Sequence, residues 1–146
     1  MPMLAGGQSQ PCAILTHTFN SLSTPMQLVQ LHLPYPPSTN RYWRTFRGRT
    51  VPSKEATAFK KIVKEAGPDQ DLYTGEVSLT IQLLPKLTAK GLASKVCMDL
   101  DNCLKVIGDS IQGVYIENDK QIRLIVAEYG DPIQDGGVIV TVCKMK

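Results

Sequence analysis

Apolar and polar residues alternate with a period of two in four stretches of the chain and recur at helical spacing in two others, and the order of these patterns predicts the fold. In MQLVQLHLPYPP, Leu28, Gln30 and His32 stand against Val29, Leu31 and Leu33, a strand pattern that stops at Pro34. GEVSLTIQLLP, with Val77, Leu79, Ile81 and Leu83 on one side, is the clearest strand. QIRLIVAEY and VIVTVCK read as two closing strands separated by the turn-rich GDPIQDGG. After Pro52, Ser53 is placed to cap a helix in which Ala56, Phe59, Ile62, Val63 and Ala66 share one face, the lysines 54, 60, 61 and 64 occupy another, and Gly67-Pro68 marks the end. A second helix begins within MDLDNCLKVIGDSI. Leu100, Leu104, Ile107 and Ile111 form its apolar stripe, Asp101, Lys105 and Asp109 lie opposite, and Gly113 ends it. Strands and helices in this order predict a single α+β domain: a mixed sheet of about four or five strands with two main helices.

The remaining segments add less order and more chemistry. Residues 1–25 carry no Asp, Glu, Lys or Arg and no period, and are rich in Gly, Ser, Thr and Pro; they read as a flexible tail, with Met26 opening a folded domain over 26–146. The four cysteines, at 12, 97, 103 and 143, form no C-x-x-C pair and no zinc-ligand cluster, so they read as reduced packing thiols of a cytoplasmic protein. No apolar run is long enough to span a membrane, and no secretory signal is present. Sixteen Lys+Arg against thirteen Asp+Glu give a net charge of +3, a mildly basic balance that suits a polyanionic partner.

The basic residues are placed unevenly. In PPSTNRYWRTFRGRTVPS, Arg41, Arg44, Arg47 and Arg49 are interleaved with Tyr42, Trp43 and Phe46, and Gly48 is the turn residue of a short hairpin or loop. Lysines 86, 90 and 95 dot the loop before the second helix. Guanidinium and ammonium groups on phosphates supply salt-sensitive affinity, and an aromatic ring offers a stacking platform for an opened base. Tyr42 and Trp43 read first as core, and the face of Lys60, Lys61 and Lys64 has a solvated helix surface as its bland alternative.

Two aspartates flank a single leucine at the start of the second helix. Asp99 falls at or just before the N-cap and Asp101 in the first turn, where backbone N–H groups favour ionised carboxylates, and the bland account makes Asp99 the N-cap and Asp101 a complement to the helix dipole. Asp119, in YIENDKQIRL, lies at a turn into a strand able to run beside this helix and so to approach the other two. Three converging acids repel unless a cation joins them. Oxygen ligands of this kind take Mg²⁺, with Mn²⁺ as a substitute, and such a cation activates water for phosphodiester hydrolysis. Lys105, one turn after Asp101, would pair with it or reach the scissile phosphate. An EF-hand beginning at Asp99 is excluded by Leu104 and Ser110, where Gly and Glu are needed. The D-x-D-x-T/V nucleophile motif fails at Cys103, and the chain is short for that fold.

LPYPPSTNRYWR, RGRTVPS opening a helix, MDLDNCLKVIGDSI and IENDKQI together resemble the RusA family of Holliday-junction resolvases, over about residues 28–143. The resemblance implies a RusA-like symmetric homodimer that binds four-way DNA junctions and uses Mg²⁺ to place paired nicks across the crossover. It implies that Asp99, Asp101 and Asp119 hold the metal and that Lys105 is the essential lysine. With that function, Arg44, Arg47, Arg49, Lys60, Lys64, Lys86, Lys90 and Lys95 become DNA-binding candidates, joined by Asn40 and Arg41, which alternatively support the acidic site. Where family members carry an arginine-rich run just before D-L-D-N, this chain has KVCM. The other reading is a branched-DNA-binding module without catalysis, which metal-dependent nicking separates from the nuclease.

Overall fold

The computed structural model describes residues 27–145; the expected tail lies outside them. β1 (Leu28–Leu33), β4 (Val77–Leu84), β5 (Ile122–Tyr129) and β6 (Gly137–Lys144) form one sheet in the order β1-β6-β4-β5. β6 is antiparallel to both neighbours, from Leu28 opposite Cys143 on one side to Leu84 opposite Gly137 on the other, whereas β5 pairs with β4 in parallel. The second helix, α3 (Leu100–Ile111), lies on the crossover between β4 and β5. A parallel pair needs such a connection, and here it carries the acids.

Alternation decides which sheet face is buried. Val29, Leu31 and Leu33, then Val77, Leu79, Ile81 and Leu83, then Val138, Val140 and Val142 are all buried, as a period of two requires when one face is covered. α2 (Lys54–Ala66) covers that face with Ala56, Phe59 and Val63. Its Ser53 accepts a hydrogen bond from the Ala56 N–H at 3.1 Å, the predicted cap. Ile62 and Ala66, expected on the same face, are exposed.

α3 turns a different face inward from the one expected. Cys103, Val106, Ile107, Ser110 and Ile111 are buried, while Leu100 and Leu104 are only half-buried. The buried set follows i, i+3, i+4, i+7 spacing. Cys103 and Ser110 are both fully buried, and Ser110 satisfies its hydroxyl on the Val106 carbonyl at 2.7 Å. The rotation also half-buries Asp109, read from sequence as solvent-facing.

The hairpin expected around Gly48 is present; the helical turn before it and the exposure of β5 add to the predicted picture. A single helical turn, α1 (Thr39–Tyr42), leads directly into a two-stranded hairpin of β2 (Trp43–Phe46) and β3 (Arg49–Pro52). At the bend, Arg47 and Gly48 both take positive φ, 50° and 74°, the signature of the tight turn whose twist matches a hairpin. At the other end, β5 leaves Leu124, Ile125, Val126 and Tyr129 about half exposed along a sheet edge that is unpaired among the described residues. No helix among the described residues is long and apolar enough to cross a membrane.

Candidate active site

Asp99 occupies the N-cap position of α3, but its side chain makes no capping hydrogen bond. Side-chain capping by Asp99 is thereby removed, and Asp99 at the N-cap and Asp101 in the first turn both stand exposed. The backbone just before them is held tightly. The Met98 N–H donates to the Tyr35 hydroxyl at 2.7 Å, and the Tyr129 hydroxyl donates to the Met98 carbonyl at 3.0 Å. Tyr35 also reaches the Cys97 thiol at 3.5 Å. The Tyr129 bond places the end of β5 beside the start of α3, where desolvation raises the tyrosine's hydroxyl above the ordinary pKa and Cys97, Asp99, Cys103 and Asp101 push it further in the same direction. One residue after Asp101, Thr39 donates to the Asn102 side-chain oxygen at 3.0 Å. The P-P-S-x-N-R-Y and D-L-D-N segments are thus in contact, as are Tyr42 and Ser110, 3.3 Å apart through their hydroxyls.

Asp119 does not join the pair within one chain. It starts a single 3₁₀ turn, Asp119–Gln121, capped by Asn118, at the beginning of β5, whereas Tyr129 and the two acids lie at its end. Gln121 fixes this turn by donating to the Tyr73 and Gly75 carbonyls at 2.7 and 2.8 Å while accepting from the Glu117 N–H at 2.8 Å. Asp119 sits instead near Asp109, whose pKa is raised by burial and, less strongly, by Asp119, while Lys105 and Lys60 oppose the shift. Asp101 and Asp109 are eight residues apart on α3, roughly 12 Å along its axis. Among the described residues no group of three or more His, Cys, Asp or Glu side chains is positioned to hold a metal, so the expected convergence of three acids in one chain is not met. Lys105 is exposed between the two acidic sets. Of the two readings of Lys105, the ion pair with Asp101 is absent, Arg123–Glu76 at 2.9 Å being the ion pair among the described residues.

The basic candidates divide into three groups. Asn40 and Arg41 lie exposed on α1, with Arg44, Arg47 and Arg49 exposed along the hairpin. Lys60 and Lys64 line a cleft of about 770 Å³ together with Trp43, Asp109 and Glu117. Lys90 and Lys95 are exposed on the loop before α3, and the Lys86 ammonium sits 5.2 Å from the Tyr35 ring centroid, so Lys86 packs on one of the tyrosines that fix Met98. Tyr42 is buried, as the core reading expects, with Trp43 edge-on against it at 5.1 Å. Tyr35 and Tyr129 were missed. Tyr35 lies inside the P-Y-P-P run singled out above, but nothing local marks Tyr129.

A nuclease class is what this combination of exposed carboxylates and cations on an α+β scaffold fits, and comparison with known proteins establishes it. The family model described as Endodeoxyribonuclease RusA matches residues 34–143; the chain belongs to that family. Over 118 residues it is 28% identical to the Crossover junction endodeoxyribonuclease RusA of Escherichia coli O139:H28 (strain E24377A / ETEC), an alignment covering 77% of this chain and 90% of that protein. The nuclease reading therefore stands over the non-catalytic one.

Proposed function

We propose that the protein is a homodimeric, Mg²⁺-dependent resolvase of four-way DNA junctions, acting in the cytoplasm through a domain that starts near Met26, and that each active site is shared between two copies. The observation that carries this reading is the position of the acids at opposite ends of β5. Two copies pairing antiparallel along this edge about a two-fold axis would bring Asp119 of one to the Tyr129 end of the other, beside its Asp99 and Asp101. The edge suits such pairing, since Leu124, Ile125 and Val126 are each about half exposed and its N–H and C=O groups await a partner strand.

Asp99 and Asp101 fit a small hard cation, because two uncapped, exposed carboxylates supply the oxygen ligands it needs while leaving positions for water. When bound, Mg²⁺ would supply an activated water and stabilise charge on the phosphate. The chain's own residues do the rest. Tyr35 and Tyr129 orient the acid pair through Met98, Lys105 offers its ammonium to the scissile phosphate, and the arginines and lysines of α1, the hairpin, α2 and the loop before α3 bind the arms. Two-fold symmetry then places two nicks symmetrically.

Mixing two inactive variants tests the shared site. Asp101→Asn and Asp119→Asn should each lower single-turnover nicking of a synthetic junction at least about a hundredfold, with junction binding retained. In a mixed dimer of the two, one site contains both substitutions and the other neither, so equimolar mixing should restore about a quarter of wild-type sites. A site complete within one chain would gain nothing from mixing. Wild-type rates for Asp119→Asn would remove that residue from the site, and loss of all nicking in EDTA but not in Mg²⁺ checks the metal.

A further inference from the structure

We infer that the β2–β3 hairpin is a branch-opening finger: Phe46 stacks on an unstacked base at the junction while Arg44, Arg47 and Arg49 hold flanking phosphates. The inference rests on the junction-cutting reading above and gives its specificity a physical source.

Phe46 sits immediately before the turn with half of its surface exposed. Its ring is flanked by guanidinium groups, with Arg44 at 5.5 Å and Arg47 at 5.2 Å from the centroid. Neither arginine has an ion-pair partner among the described residues, and every Asp or Glu of the chain lies at or after Glu55. An exposed ring inside uncompensated positive charge selects a partner presenting an apolar face and anions together. A base lifted out of the stack at a branch, with its phosphates on either side, does this. An intact duplex offers the phosphates but keeps its base faces covered.

The finger is pre-formed and rooted near the acids. The Arg47–Gly48 turn closes it, the Ser53 N–H donates to the Tyr42 carbonyl at 2.8 Å across its base, and Thr39 ties α1 to Asn102, next to Asp101. Four strand residues carry the tip roughly 13 Å outward, about four base-pair steps. A groove of about 370 Å³ between hairpin and α2, lined by Arg44, Pro52, Ser53, Lys54, Thr57 and Lys61 among others, contains no acidic lining residue and gives one arm's backbone a track towards the tip.

The test uses the full chain with a four-way junction carrying 2-aminopurine at the branch, a matched linear duplex, and EDTA to block cutting. Wild type should raise 2-aminopurine fluorescence on binding. Phe46→Ala should lose that rise and bind the junction roughly five- to a hundredfold more weakly, with duplex affinity and melting temperature almost unchanged. Phe46→Trp should restore both, and Arg44→Gln or Arg47→Gln should lower the log–log salt slope by about one. A Phe46→Ala protein that opens and binds the junction like wild type overturns the inference, as does one whose only change is a weaker dimer, which would assign Phe46 to a second copy. Nicking in Mg²⁺ is scored on the same junction. Wild type that opens the branch without cutting it overturns the resolvase reading and leaves the finger standing.

Discussion

Tyr129, the last residue of β5, donates its hydroxyl to the carbonyl of Met98 at 3.0 Å, while Tyr35, just beyond β1, accepts from the N–H of the same residue at 2.7 Å. β1 and β5 are the two edges of the sheet, so the peptide preceding Asp99 is gripped from both ends of the scaffold. Carboxylates on a helix terminus would otherwise move with its first turn. Here their backbone is fixed by groups belonging to neither the helix nor its capping chemistry.

Removing either hydroxyl should therefore slow cutting without loosening DNA. Tyr129→Phe and Tyr35→Phe are each expected to reduce single-turnover nicking about tenfold or more, because misplacement of reacting groups by a fraction of an ångström is costly. Junction affinity should stay within about twofold, since neither ring carries charge to a phosphate. Normal rates in both variants would reduce the clamp to packing.

Tyr35 also gives the protein an alkaline limit. Burial pushes its hydroxyl up to about 12 from 10.0, Cys97 adds to the shift, and the Met98 N–H opposes it. A folded-state pKa above the unfolded one means that the native protein holds its proton longer. Stability is fully present below pH 10 and falls as pH rises through about 12. Denaturant melts between pH 8 and 12 should show that decline in wild type and a shallower one in Tyr35→Phe.

Gly67, which ends α2, is pressed against the core. A Cβ placed there would come within 2.7 Å of Leu31 Cδ2 and closer still to the Tyr115 hydroxyl, which itself donates to the Val63 carbonyl at 3.1 Å. Gly67→Ala should destabilise the fold by about 1–3 kcal/mol, as overpacking does, measurable as a drop in urea midpoint at constant m-value. A midpoint at or above that of wild type would mean that Tyr115 swings aside at no cost.

Charge on the β5 edge should separate folding from assembly. Ile125→Lys places an ammonium where two strands would meet, yet its side chain is about half exposed in the single chain, so the fold should survive. Sedimentation should show a monomer, and nicking should fall at least about a hundredfold at low protein concentration. A dimeric, active variant would move the interface elsewhere.

The sequence was most legible where one physical pattern acted alone. Val77, Leu79, Ile81 and Leu83 alternate without interruption and are buried in that register, and Ser53 caps α2 as its position before Lys54 suggested. α3 was read a fraction of a turn out of phase because Leu100 and Leu104 outweigh Cys103 and Ser110 in hydrophobicity; closeness of packing, which favours small side chains, decided the buried face. The acids were found by type but not by arrangement. Local sequence places Asp99 and Asp101 together, yet whether Asp119 meets them depends on the length of β5 and the direction in which it pairs, neither of which spacing encodes. Tyr129 was illegible for the same reason: its partner, Met98, is thirty-one residues away.

The position of β6 between β1 and β4 bears on how the enzyme is made. Leu28 and Val29 find their partners in Cys143 and Val142, so a growing chain holds its first strand unpaired until almost the whole domain has been synthesised. Contacts this distant in sequence are slow to form, and the exposed strands invite mispairing while they wait. The same order is a safeguard: a ribosome-bound fragment ending before Gly137 already contains every acidic and basic residue assigned to cutting, but not the strand that joins β1 to β4, and should leave DNA intact.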